Sequence, residues 1–277
     1  PYMADLANEE AWLIAQKITQ TDNSFTKSDH SSFLPSQSSI SADISLSQQG
    51  NGVTALQSTE VPIGIVAIEV YTPEYFIDAE TLERNHLAAR TKNCQEAVSV
   101  WDAQEDAISM ALNAVSKLLE KHVPDPYIIG RIEVGTESNV DMAKSIKTHL
   151  MNLLPRDHTD VEGVDNINAC YGGTAALLNT LSWCRETRGL GIVVATDTAD
   201  MDLHNSAWRG ASAVAMLVGK DPWIEIHPER SSFFKNTHDF LKPRYSNQIS
   251  PYIQTKDSMN HYLEALDATI ARLRSKH

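Results

Sequence analysis

The chain has 277 residues, 42% of them hydrophobic, which is enough for a large core in one or two domains. With 23 Lys+Arg against 36 Asp+Glu its formal net charge is -13, a balance that repels nucleic acid and anionic membrane surfaces. No apolar run approaches the ~20 residues that cross a bilayer, and three cysteines (Cys94, Cys170 and Cys184) without CxxC or Cys/His spacing are too few for a disulfide framework and form no zinc motif. A reducing, intracellular compartment follows as the expectation, cytoplasmic or organellar. The opening PYMADLANEEAW lacks the basic-then-apolar order of a secretory signal and is too acidic for a typical transit peptide.

In chain order, Leu6, Leu13, Ile14 and Ile18 recur at near-helical spacing and predict a short amphipathic helix from Met3 to about Thr19, either a frayed terminal helix or one that binds a partner. From Thr21 to Glu60 the composition turns to Ser, Gln, Asn and Asp, with too few large apolar residues for a core, which predicts a low-complexity linker or tail. Residues 1–60 are therefore expected to be an N-terminal extension and residues 61–277 the folded domain.

Beyond that boundary strand-like and helix-like runs alternate. IGIVAIEVY (Ile63 to Tyr71) predicts a buried strand, and AQEDAISMALNAVSKLLEK a helix with Ile108, Ala111, Leu112, Val115 and Leu119 on one face. RIEVGTES predicts a second strand ending in a polar turn, DMAKSIKTHLMNLL a helix, and NINAC a short strand into a turn. GTAALLNTLSWC has the small residues of a helix buried all round. GLGIVVATDTA and SAVAMLVG are further strands, and the last helix carries Tyr262, Leu263, Leu266, Ile270 and Leu273 on its apolar side. The alternation implies an α/β layered domain around a largely parallel sheet.

Three residues stand where chemistry is expected. Cys170 ends a short strand and precedes a Gly-Gly-Thr-Ala-Ala helix start, so its sulfur lies near a positive helix end that lowers a thiol pKa. The bland alternative is a small buried residue. Gly172 and Gly173 let backbone approach a bound group closely, and N–H groups there suit an oxyanion. Glu137 lies at the carboxyl end of the RIEVGTES strand, where open α/β sheets place their ligand crevices, either as a general base or as a cap for the following helix. Asp197 in ATDTAD shares that strand-end position and the same ambiguity. The ten histidines form no metal spacing.

The ordered motifs GIVAIEVYTPEYFID, RIEVGTESNVDMAKSIKTHLMNLL, DVEGVDNINACYGGTAALLNTLSW and GIVVATDTAD, with HDFLKP and HYLEALD later, closely resemble the 3-hydroxy-3-methylglutaryl-CoA synthases of the thiolase-like condensing-enzyme superfamily. The resemblance implies the N-terminal half of a duplicated α-β-α-β-α thiolase-like fold. It also implies that Cys170 is acylated by acetyl-CoA and that Glu137 removes a proton from the acetyl methyl. The enolate then attacks acetoacetyl-CoA, with no metal or redox cofactor.

The family's histidine, in a Phe-His-Thr/Val-Pro-Phe motif of the second half, lies beyond the resembling region. The family's Gly-Leu-Gly-Gln stands here as Lys92-Asn93-Cys94-Gln95, its glycine-rich approach to the later strand as NSAWRGASAVA, and its Asp-Gly ahead of the last helix as Gln254-Thr255-Lys256-Asp257. The expectation is an incomplete synthase, acting in a homo-oligomer or a hetero-complex that covers the missing half. The alternatives are one chain of a split synthase and a degenerate synthase kept as an interaction subunit.

Overall fold

The computed structural model describes residues 61–84, 96–199, 210–241 and 252–276. The expected helix at Met3 to Thr19, the linker to Glu60 and the Lys92 to Gln95 segment lie outside the described residues, as do Asn205 to Arg209 of NSAWRGASAVA.

Four long strands and two short ones build the central sheet: β1 (Ile63–Tyr71), β4 (Ile129–Gly135), β5 (Asp165–Asn166), β6 (Leu190–Ala199), β7 (Gly210–Lys220) and β8 (Ile224–Glu225). Between β1 and β4 the chain forms a hairpin of β2 (Tyr75–Asp78) and β3 (Ala97–Val100) with a short helix α1 (Ala79–Arg84), then the long helix α2 (Ala107–His122). The sheet order is β5-β4-β6-β7-β1-β8. Pairing is parallel for β5, β4 and β6, as the strand–helix alternation predicts, while β7 runs antiparallel to β6 and β1, and β8 antiparallel to β1. The ten residues from the end of β6 to the start of β7 are fewer than the dozen or more that a parallel crossover takes.

α2 covers one sheet face. Its start is fixed by a reciprocal cap, in which the Asp106 carboxylate accepts from the Ser109 N–H (2.7 Å) and the Ser109 hydroxyl accepts from the Asp106 N–H (2.9 Å). Ala111 and Val115 are buried as expected, but Met110, Ala114 and Leu118 are buried with them, while Ile108 and Leu112 sit at the margin of that core. The small side chains Ala211, Ala213 and Ala215 of β7 let the helix approach closely, against Ile192 and Val194 of β6.

The opposite face carries α4 (Gly172–Thr187), which buries Ala176, Leu181 and Cys184 against Val193 and Val218. Only one side of α4 is covered among the described residues, against the expectation of burial all round. Beside it Ile68 and Val70 of β1 remain 44% and 47% exposed.

The helix expected over DMAKSIKTHLMNLL is shorter. Asp141 accepts from the Ala143 and Lys144 N–H groups in a turn, so α3 (Ile146–Leu150) starts only after Ser145, whose hydroxyl takes the Thr148 N–H. The Asp165 carboxylate accepts from the Ile146 and Lys147 N–H groups and ties α3 to β5. At the far end a two-stranded ribbon, β9 (Phe240–Leu241) with β10 (Tyr252–Ile253), precedes the last helix, α5 (Thr255–Arg274). Its apolar residues Tyr262, Leu263, Leu266 and Ile270 are all exposed. The polar contacts of α5 go to residues 231–239, including Lys235 to Glu264 at 2.8 Å and His261 to Asp239 at 3.2 Å.

Candidate active site

Because β5, β4 and β6 are parallel neighbours, their carboxyl ends lie side by side, and each leads into a residue singled out above. β4 runs into Thr136 and Glu137, β6 ends through Asp197, and β5 leads through Asn168 and Ala169 to Cys170. The structure brings all three together. The Cys170 thiol donates to Glu137 Oε1 at 3.3 Å. Asp197 Oδ1 accepts from the Glu137 N–H (2.6 Å), the Ser138 hydroxyl (3.0 Å) and the Thr136 hydroxyl (3.1 Å).

Geometry bears on the alternative roles. No helix begins at Glu137; the next one starts at Ile146. Cys170 is exposed, whereas Cys184, in the middle of α4, is buried and has its thiol pushed up to about 11 by that burial. The Cys170 thiol differs from expectation. Partial burial, then the hydrogen bond and charge of Glu137, raise it above the ordinary thiol value, although it precedes the helix of 16 residues α4. Both the burial and the adjacent carboxylate therefore favour the protonated form of this thiol.

Ala169, immediately before the cysteine, has φ 44, a left-handed conformation uncommon for a residue with a Cβ. That turn is closed by Tyr171 N–H to Asn168 O (3.0 Å) and Gly172 N–H to Ala169 O (3.2 Å). It points the cysteine back toward Glu137, and neither composition nor spacing signals it. The Tyr171 ring meets Phe234 edge-on at 5.2 Å, bringing the 230s segment beside the site, another contact the sequence does not announce.

The glycines serve packing first. A Cβ on Gly135 would lie 2.2 Å from the Gly173 nitrogen, and one on Gly172 would lie 2.7 Å from the Asn166 carbonyl oxygen. The end of β4 and the start of α4 touch backbone to backbone. Gly135→Ala is expected to push the α4 start away at a cost of about 2 kcal/mol, seen as a melting temperature lower by roughly 4–8 °C. Thermal unfolding of the purified variant checks it.

Asp197 is largely buried, and burial raises its carboxyl above the usual range even though three hydrogen bonds oppose the shift. The folded chain thus holds this proton over a window in which the unfolded chain has lost it. Its contribution is complete below about pH 3.9 and falls away as the pH rises through the folded value. Asp197→Asn keeps the accepting oxygen without the buried charge, so stability near neutral pH is expected to be equal or higher. Asp197→Ala leaves three donors without their acceptor and is expected to cost about 2 kcal/mol. Denaturant titrations of the two variants at about pH 7 and pH 4 measure both effects.

Among the described residues no group of three or more His, Cys, Asp or Glu is placed to hold a metal ion. No described helix is long and apolar enough to cross a membrane.

A mixed sheet between α2 and α4, with strand carboxyl ends meeting at the start of α4, defines the layered α/β fold of the thiolase-like class. Residues 60–222 match the hydroxymethylglutaryl-coenzyme A synthase N-terminal family, and the chain belongs to it. It is 39% identical over 235 residues to the hydroxymethylglutaryl-CoA synthase of Ganoderma lucidum, covering 80% of this chain and 50% of that protein. It is 41% identical over 229 residues to one from Aspergillus fumigatus, covering 80% and 49%.

Among solved structures, MvaS in complex with 3-hydroxy-3-methylglutaryl coenzyme A superposes with TM-score 0.71 at 28% identity, over 78% of this chain and 54% of that one. An HMG-CoA synthase complexed with CoA gives TM-score 0.70 at 25% identity, over 78% and 56%. The chain thus spans about half the length of the curated relatives it matches.

Proposed function

We propose that Cys170 accepts an acetyl group from acetyl-CoA and that Glu137 is the base that turns this acetyl group into the nucleophile attacking acetoacetyl-CoA. The observation that carries the reading is the 3.3 Å contact from the thiol to the Glu137 carboxylate in a chain of this family. In the first half the thiol proton passes to Glu137, the sulfur adds to the thioester carbonyl, and CoA leaves as its thiol with that proton returned from Glu137. In the second, Glu137 removes a methyl proton from acetyl-Cys170, and the enolate carbon bonds to the ketone carbon of acetoacetyl-CoA, whose π bond opens onto an oxygen that takes up one proton as the hydroxyl. Water then cleaves the thioester at Cys170 to free hydroxymethylglutaryl-CoA.

A methyl proton next to a thioester is weakly acidic, so a positioned base and stabilisation of the enolate oxygen must act together. The α4 start faces this position. The Gly172 N–H is already held by Ala169, which leaves Gly173 as the closer glycine for an acyl contact. The relatives whose structures hold hydroxymethylglutaryl-CoA and CoA support this substrate class. The open apolar surface at Ile68 and Val70 supports action within an oligomer or a larger complex.

Incubation of the 277-residue chain with acetyl-CoA, followed by intact mass, tests the proposal. One acetyl group on Cys170, absent in Cys170→Ala, is expected, and no gain in mass overturns it. By itself the chain is expected to stop at the acyl-enzyme, since Cys170, Glu137 and Asp197 are the reactive groups that converge among the described residues. Efficient hydroxymethylglutaryl-CoA formation by the purified chain contradicts that second expectation.

A further inference from the structure

Cys170 and Glu137 follow different strands, joined by a backbone ladder that ends beside them: the Glu162 N–H donates to the Gly130 carbonyl (3.0 Å), and the Ile132 and Val134 N–H groups donate to the Glu162 and Val164 carbonyls (2.9 and 3.1 Å). β5 itself has two residues and lies at the sheet edge, with Asp165 opposite Val134 and Asn166 opposite Gly135. The last backbone bond before the reactive loops, from the Thr136 N–H to the Asn166 carbonyl, is long at 3.3 Å. Cys170 comes four residues after Asn166, and Glu137 directly follows Thr136. A small displacement of Asn166 at this end of the ladder therefore changes the distance between thiol and carboxylate.

Side chains fasten this end of the ladder further. The Asn166 amide donates to Glu133 Oε2 at 2.7 Å and to the Val134 carbonyl at 3.2 Å, and its oxygen accepts from Asn179 of α4 at 3.1 Å. Glu133 is fully buried, and its other oxygen accepts two N–H bonds from Arg131, at 2.9 and 2.5 Å. Arg131 also donates to Glu162 (2.9 Å), which accepts the indole N–H of Trp183, again from α4. The hydrogen bonds close a ring that joins the strand leading to Glu137, the strand leading to Cys170 and the helix that starts just after Cys170. The charge-assisted bonds to Glu133 are its firmest links.

We infer that Asn166, clamped by the buried carboxylate of Glu133, is a positioning residue that sets the separation of Cys170 from Glu137. The inference rests on the reading of that pair as the reactive centre. It acts through the pair and touches no substrate.

The test is the pH dependence of Cys170 alkylation by iodoacetamide in the full chain, resolved by peptide mass. The carboxylates facing the thiol are Glu137 and Asp197, and both disfavour its ionisation. With Asn166→Ala the Glu137 carboxylate is no longer held against the sulfur, so alkylation shifts to lower pH and its rate at about pH 8 rises roughly 3-fold. Trp183→Phe cuts the ring at its far end; it is expected to lower the melting temperature and leave the alkylation profile in place. Asn166→Ser, measured alongside, keeps the experiment decisive should the alanine variant fold poorly.

An unchanged profile in the folded Asn166 variants, or an equal shift in Trp183→Phe, overturns the positioning role. No acetyl-CoA enters this measurement, so failure of acylation and failure of positioning are separate results.

Discussion

Glu137→Gln is expected to change the two reactions of Cys170 in opposite directions. Acylation by acetyl-CoA should slow by roughly 10²–10⁴-fold, the usual contribution of a positioned general base. Alkylation by iodoacetamide near neutral pH should become faster. Both follow from the single 3.3 Å contact. Burial, and then the hydrogen bond and charge of the carboxylate, raise the thiol above its ordinary range, so removing the charge frees a larger thiolate fraction for an unselective electrophile.

Acetyl transfer gains little from that larger fraction, because the amide of glutamine takes no proton during attack and none from the acetyl methyl afterwards. Cys170→Ala removes both reactions, and Glu137→Asp, which shortens the side chain by one methylene, should fall between. If Glu137→Gln slows alkylation as much as acylation, the carboxylate does not act as a base. It would then only hold the loop.

This pair also shows what a one-dimensional reading delivers. β1 was expected from Ile63 to Tyr71 and has those limits, because a run rich in β-branched residues, bounded by Pro62 and Pro73, favours an extended strand. Glu137, Asp197 and Cys170 were each placed by strand ends, and their convergence needs only parallel neighbours. The direction of the Cys170 shift was not legible. A helix start two residues away is visible in the sequence, whereas a carboxylate that arrives from 33 residues earlier is not.

α3 came out shorter because Asp141 and Asp165 offer the backbone competing acceptors, an effect that apolar periodicity does not register. α4 carries small residues suited to burial on every side, yet one layer covers it among the described residues, so pattern and environment part company there. The β2–β3 hairpin lacked any clear signal, its four-residue strands being held largely by contact with the sheet through Ser99 and Ala211. Likewise Asn166 reads as one polar residue in NINAC, and only the fold shows that it lies against a buried acid.

That buried acid sets the last expectation. Arg131→Met should destabilise the chain by about 3–5 kcal/mol, because it strips the partner from a carboxylate with no solvent contact. The melting temperature should fall by roughly 6–20 °C, far more than for an exposed ion pair such as Arg84 with Glu80.

Adding Glu133→Leu to Arg131→Met removes the stranded charge and should recover most of the loss, as when a buried pair gives way to apolar side chains. Recovery should remain partial, because Asn166 then keeps only the Val134 carbonyl as acceptor and Trp183 is left with a Glu162 no longer held by arginine. In the double variant stability returns while the Asn166 clamp stays open, so Cys170 should still alkylate at lower pH than in the parent chain. Restored stability with the parent alkylation profile would separate Glu133 from the positioning of the site and leave it a purely structural charge.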